Sequence, residues 1–139
     1  MSNVKVITGG YMQNAFKTME QLRREAEPVL SGEKFDTMVG TGLSGALVVP
    51  RLAEAFGVHW LIVRKPGDGS HSNHQAEGTL GRRWIFVDDF VSTGNTWKRV
   101  MASMAGIDPS AAYAGTYSYR DRLLVLPGEG WWEERYAYV

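Results

Sequence analysis

The chain has 139 residues, with 15 Lys+Arg against 15 Asp+Glu, a formal net charge of zero and no cysteine. The missing cysteines exclude disulfides, thiolate metal sites and Cys nucleophiles, and the balanced charge argues against a broad electrostatic footprint on nucleic acid. No apolar run approaches the roughly 18 residues needed to cross a bilayer, and the start, Met1 to Val6, lacks a charged-then-apolar signal pattern, so a single soluble cytosolic domain is expected.

Met12, Phe16, Met19, Leu22, Ala26 and Val29 recur at helical spacing, with Lys17, Glu20, Arg23, Arg24 and Glu27 between them. This predicts an amphipathic helix over 11–27, stopped by Pro28. Phe35 to Val39 reads as a short strand, and Gly40-Thr41-Gly42-Leu43-Ser44-Gly45 as a tight glycine loop whose backbone can approach a ligand closely. A helix is expected over 46–56, ended by Gly57, with Pro50 shortening or kinking it. Val58 to Val63 is an apolar run that suits a strand covered on both faces.

Residues 64–81 turn polar and glycine-rich without periodicity, the mark of a functional or mobile loop. His71 and His74 within it have a spacing that suggests a metal pair, but nothing around them completes a site, and unliganded loop histidines are expected. A strand over 84–87, a helix over 97–105, a strand over 111–117 and an aromatic-rich tail from Tyr119 complete the chain. Strands alternating with helices imply an α/β fold, a mostly parallel twisted sheet flanked by helices. Ligands in such folds bind beyond the carboxyl ends of the strands. The loops at Gly40, Arg64 and Asp88 all fall at that end.

The most informative stretch is Trp84 to Thr96, WIFVDDFVSTGNT. A buried strand delivers two adjacent acids, Asp88 and Asp89, and a hydroxyl-rich turn, Val91-Ser92-Thr93-Gly94-Asn95-Thr96, opens onto a helix N-terminus. Amides at a helix N-terminus suit a phosphate monoester, and paired carboxylates suit vicinal hydroxyls. Together they describe a ribose 5-phosphate.

This stretch resembles the signature of the type I phosphoribosyltransferases, two acids followed by Thr-Gly-x-Thr, which binds phosphoribosyl pyrophosphate (PRPP). The resemblance covers about residues 35–118, with 1–34 and 119–139 left to form a small hood over the base. It implies transfer of the phosphoribosyl group to a nucleobase with release of pyrophosphate, the alternative being a PRPP- or nucleotide-binding regulator on the same fold. Asp88 and Asp89 are then expected on the ribose diol, and Val91 to Thr96 on the 5-phosphate. Thr41, Gly42, Leu43, Ser44 and Gly45 fall to pyrophosphate. Because that loop carries no Lys or Arg, its grip relies on amides and on the Thr41 and Ser44 hydroxyls, and a strained or non-trans peptide near Thr41-Gly42 is expected. Magnesium is implied as cofactor, held mainly through PRPP, with Asp88 and Asp89 as further candidate ligands.

Arg64-Lys65-Pro66-Gly67 is similar to the opening of the mobile catalytic loop in the adenine enzymes, so Arg64 and Lys65 are expected to act on pyrophosphate. Glu77-Gly78 is in a position similar to that subfamily's Glu-Tyr-Gly, which makes Glu77 a candidate for the base proton or else a solvated loop charge. The 64–81 loop is expected to be mobile and to order over PRPP. Ser92 stands where the hypoxanthine-guanine enzymes carry an Asp beside purine N7, so the resemblance leans toward the adenine or orotate arrangement. Tyr119, Arg120, Trp131, Trp132, Tyr136 and Tyr138 are candidates for the hood, or pack the core or a dimer interface. The expected partners are PRPP, a nucleobase and, as an open case, a second copy in a homodimer.

Overall fold

In a computed structural model describing residues 4, 5, 7, 17–65 and 75–136, the side chains of 135 and 136 excepted, the chain forms one six-stranded sheet with helices on both faces. The elements run α1 (Met19–Leu30), β1 (Thr37–Thr41), α2 (Gly42–Phe56), β2 (His59–Val63), β3 (Ala76–Gly78), β4 (Arg83–Asp88), α3 (Asn95–Ile107), β5 (Ala112–Ser118) and β6 (Leu123–Val125), followed by a 3-10 turn at Glu133–Tyr136. The sheet order is β3-β2-β1-β4-β5-β6. The four inner strands are parallel, and the two short edge strands are antiparallel.

Alternation along the strands divides the core. Met38, Ile85 and Val87 face α1 and α2, where they meet Leu22, Ala26, Val48, Val49 and Leu52. Val39, Trp84 and Phe86 face the other way and pack with Leu61, Val63 and the α3 residues Val100 and Met104. Both faces of the central strands are therefore buried, which is why Trp84 to Val87 reads as an unbroken apolar run. The chain leaves β1 toward β2 on one side and returns to β4 on the other, so the β1/β4 boundary is where the winding reverses. A crevice opens there at the carboxyl ends. Thr41 ends β1 and Asp88 ends β4.

Several boundaries differ from the sequence expectation. Pro28 does not stop α1 but sits in its last turn, and the helix runs on to Leu30. Residues 11–16 of the expected helix lie outside the described residues. Pro50 likewise sits within a fifteen-residue α2. The expected loop at 40–45 is not a loop: β1 continues through Thr41 and α2 begins at Gly42. Two edge strands were not anticipated. β3 lies inside the expected 64–81 loop, and β6 lies in the tail. Both are only three residues long, too short to show a period.

Candidate active site

A cavity of about 390 Å³ occupies the crevice, lined by Thr41 to Ser44 at the start of α2, Lys65 beyond β2, and Asp88 through Gly94 with Thr96 and Trp97. It joins the carboxyl ends of β1, β2 and β4 to the N-termini of α2 and α3.

The three glycines of the first segment do different work. Gly42 takes φ +72 at the first position of α2, the left-handed region that glycine enters without penalty. Gly40 is a packing residue, because a Cβ there would lie 2.5 Å from Val49 Cγ2. At Gly45 a Cβ would come 3.4 Å from the Gly40 carbonyl carbon. The missing side chain at Gly40 seats α2 against β1 and so fixes where its N-terminus points, whereas a Cβ at Gly45 would meet only ordinary contact. Among the described residues no peptide bond is cis, so of the strained or non-trans peptide expected near Thr41-Gly42 the non-trans form is not found, and the backbone turns into α2 through the positive φ of Gly42.

Thr41 has the extended backbone of a helix N-cap (φ −153, ψ 158), yet its side chain does not cap α2. Its hydroxyl donates instead to the Val63 carbonyl at 2.7 Å and accepts from Arg99 at 3.2 Å. Gly94 at the head of α3 has no side chain with which to cap, and Thr93 Oγ1 accepts from the Asn95 amide at 3.2 Å. By contrast α1, away from the cavity, is capped in the ordinary way by Thr18, whose hydroxyl accepts from Gln21 N. The two helix ends that meet the cavity are the two left without an N-cap side-chain bond. That arrangement suits anions at both.

Opposite them stand the acids. Asp89 is buried, with 4% of its surface exposed. Its Oδ1 accepts from the Phe90 amide at 2.8 Å, and its Oδ2 is buried with no hydrogen-bond partner. Asp88 Oδ1 accepts from the Asp89 amide at 3.0 Å. Burial, then the hydrogen bond to the Asp89 carboxyl and its charge, push the Asp88 carboxyl up to about 7, against the opposing pull of the Asp89 amide and Lys65. In the ligand-free protein the pair therefore holds a proton at mildly acid pH. An orphaned carboxylate oxygen beside a second acid is a site prepared for hydroxyls or a cation.

A stability consequence follows from the sign of that shift. A carboxyl raised in the folded state binds its proton more tightly when folded. Its contribution is full below the ordinary value of 3.8 and is lost as pH rises through about 7. At about 1.4 kcal/mol per unit, the loss is on the order of a few kcal/mol. Asp88→Asn should therefore melt higher than the wild type at pH 8, with the gap narrowing by pH 5. Parallel melting curves at the two pH values would show that the dyad shares no proton.

No family model and no curated protein sequence matches the chain. Its likeness is to solved structures. Orotate phosphoribosyltransferase from Aeropyrum pernix aligns with 85% of the chain at TM-score 0.60 and 20% identity. The Francisella tularensis orotate enzyme aligns with 76% at TM-score 0.59 and 15% identity. Adenine phosphoribosyltransferase from Saccharomyces cerevisiae aligns with 84% at TM-score 0.53 and 22% identity. The chain has the type I phosphoribosyltransferase fold. It spans 64% and 54% of the two orotate enzymes' length, and 21% of the Leishmania donovani UMP synthase that it also matches.

Within this phosphoribosyltransferase fold, Asp88, Asp89, Val91 to Gly94, Thr96, Thr41 to Ser44 and Lys65 come together around one cavity. Gly45 and Asn95 sit just behind, in the first turns of α2 and α3. Arg64 and Glu77 do not join them. They form an ion pair at a second, apolar cleft of about 630 Å³ between α2 and the β2–β3 edge, which shares Gly42, Leu43 and Lys65 with the first. His71, His74 and residues 66–74 of the expected mobile loop lie outside the described residues. Of the tail aromatics, Tyr119 and Trp132 are buried, and Trp131 stacks edge-on against Trp132. The side chain of Tyr136 and the whole of Tyr138 lie outside the described residues.

Sequence reasoning missed three residues. Phe90 lines the cavity, with the Arg120 guanidinium 4.6 Å from its ring centroid. Trp97 lines the far wall, its indole nitrogen donating to Tyr113 Oη at 3.1 Å. Arg99 braces the site from α3. The first two stand inside or beside the acidic motif, where an aromatic should have been read as a wall of the pocket. Arg99 carried only the signal of a cation one turn into the helix.

Proposed function

We propose that the protein transfers the phosphoribosyl group of PRPP to a nucleobase. The observation that carries this reading is the convergence of two acids and two helix ends lacking N-cap side-chain bonds on one crevice at the point where the sheet's winding reverses. The fold it shares with the orotate and adenine enzymes supports it.

In this reading Asp88 and Asp89 take the ribose hydroxyls, and the start of α3 takes the 5-phosphate. The start of α2 takes pyrophosphate, with Lys65 above it. The C1–O bond to pyrophosphate breaks as a base nitrogen bonds to C1 and loses its proton. Cationic charge develops on the ribose beside the acids while negative charge grows on pyrophosphate beside Lys65 and the α2 amides. Catalysis is then positioning and charge stabilisation. The Thr41 hydroxyl already donates its proton to Val63, so the α2 amides rather than that hydroxyl meet the anion.

Among the described residues no group of three or more His, Asp or Glu converges in a metal cage. Two carboxylates, one with an orphaned oxygen, fit magnesium, which is held through one or two carboxylates plus substrate phosphates. Asp88 and Asp89 would hold it, and the ion would neutralise the leaving pyrophosphate. No helix among the described residues is long and apolar enough to cross a membrane.

Pyrophosphate release from PRPP and magnesium with a panel of bases tests the reading. Release with adenine or orotate supports transfer, whereas PRPP binding without release with any base favours a regulator. Ser92, exposed at the cavity with no carboxylate to offer a purine N7, further predicts that hypoxanthine and guanine are turned over at least about a hundredfold more slowly than the preferred base, the low end of a lost general acid–base contribution. Comparable rates with guanine would remove Ser92 as a discriminator.

A further inference from the structure

We infer that Arg99 is a positioning residue that keeps the anion side of the cavity open by holding both of the backbone segments that form it. The inference deepens the pyrophosphate reading above and rests on it. Arg99 does not line the cavity. From the second turn of α3 its guanidinium donates through Nη2 to Thr41 Oγ1 and through Nη1 to the Arg64 carbonyl, each at 3.2 Å. Thr41 is the residue immediately before the first turn of α2, and Arg64 the residue immediately before Lys65. One planar cation thus ties the end of β1 to the chain leaving β2, and it faces the charge of Asp88 at the end of β4.

Thr41 is where this tie has a chemical consequence. Its backbone already lies in the extended region that an N-cap adopts, and threonine is a favoured N-cap. Only the direction of its side chain keeps the hydroxyl from the Leu43 or Ser44 amide. Two partners hold that direction, Val63 O as acceptor and Arg99 as donor. The second comes from a cation and is, at 3.2 Å, the longer of the two. With Arg99 gone, the hydroxyl can turn to cap its own helix, occupying an amide an anion would otherwise take. The Arg64 carbonyl is released at the same time, and with it the aim of Lys65. Lysine in place of Arg99 keeps the charge but lacks the planar fork that reaches both partners at once.

The test is pyrophosphate binding by calorimetry, with amide hydrogen exchange at Leu43 and Ser44 in the ligand-free protein. Arg99→Met should weaken pyrophosphate at least tenfold and slow exchange at one of those amides. Arg99→Lys should give an intermediate loss, and it reads the same quantities if Arg99→Met does not fold. In a Thr41→Val background, which cannot cap, Arg99→Met should cost less affinity and leave exchange unchanged, because the two residues act as one unit. Wild-type affinity in Arg99→Met, or fully additive losses with unchanged exchange, would overturn the inference. A wild-type protein that binds no pyrophosphate, yet shows the exchange change in Arg99→Met, would overturn the functional reading and leave the hold of Arg99 on Thr41 standing.

Discussion

Replacing both acids, Asp88→Asn with Asp89→Asn, is expected to abolish measurable PRPP binding while leaving the ligand-free protein at least as stable as the wild type at neutral pH. Both halves come from the same geometry. The pair lines the cavity, and when both acids are ionised Asp89 Oδ2 is buried with no donor inside the protein. Its hydrogen-bonding capacity is therefore reserved for what enters. Hydrogen bonds to a charged group contribute about 1.5–3 kcal/mol each, so losing both carboxylates should weaken the ligand by a factor on the order of a thousand. An amide also loses any cation bridging to the phosphates. Stability moves the other way, because the folded protein holds Asp88 against burial and against the neighbouring acid. Asparagine removes the charge and keeps the shape. Calorimetric titration of PRPP with magnesium, beside melting curves at pH 7, measures both. Binding within tenfold of the wild type would detach the acids from the ligand, and a collapsed melting temperature would make them structural.

The acids were legible in the sequence because their signal is local. An apolar run ending in Asp88-Asp89, followed by small hydroxyl residues and a helix, encodes strand, tip and anion loop within thirteen consecutive residues. The alternating elements also made the parallel sheet legible. What local pattern could not reveal was where side chains go once the strands are side by side. Gly40 reads as part of a ligand-facing loop, but the close approach of α2 to β1 uses it, which appears only when Val49 is placed over Gly40. Thr41 reads as an anion ligand, but its hydroxyl is taken by residues 22 and 58 positions away in sequence. Glu77 reads as part of a catalytic loop. Three residues of antiparallel pairing, Ile62 opposite Glu77 among them, turn it into the outer edge of the sheet instead.

That edge pairing separates two cations which the sequence placed together, and it sets the second large expected effect. Lys65→Ala should slow turnover by about a hundredfold, the order seen when one donor to a developing anion is removed from an enclosed site. Arg64→Ala should change it less than about threefold. Lys65 lines the cavity, and its side chain runs across the head of α2, so that a Cβ on Gly42 would lie 3.1 Å from its Cε and 3.4 Å from its Nζ. Its charge therefore stands beside the amides assigned to pyrophosphate. Arg64, one residue earlier, does not line that cavity and pairs with Glu77 at the adjoining apolar cleft, which Lys65 also lines. Glu77 is 57% exposed, so the pair is worth at most about 1 kcal/mol and its loss should barely move stability. Because negative charge grows on pyrophosphate as the bond to C1 breaks, Lys65→Ala should lower kcat more than it raises KM for PRPP. Steady-state kinetics on the two single variants decide the matter. Equal losses in both would mean that Arg64 leaves Glu77 for the cavity during turnover. A Lys65→Ala change confined to KM would mean that the lysine binds substrate and transition state alike.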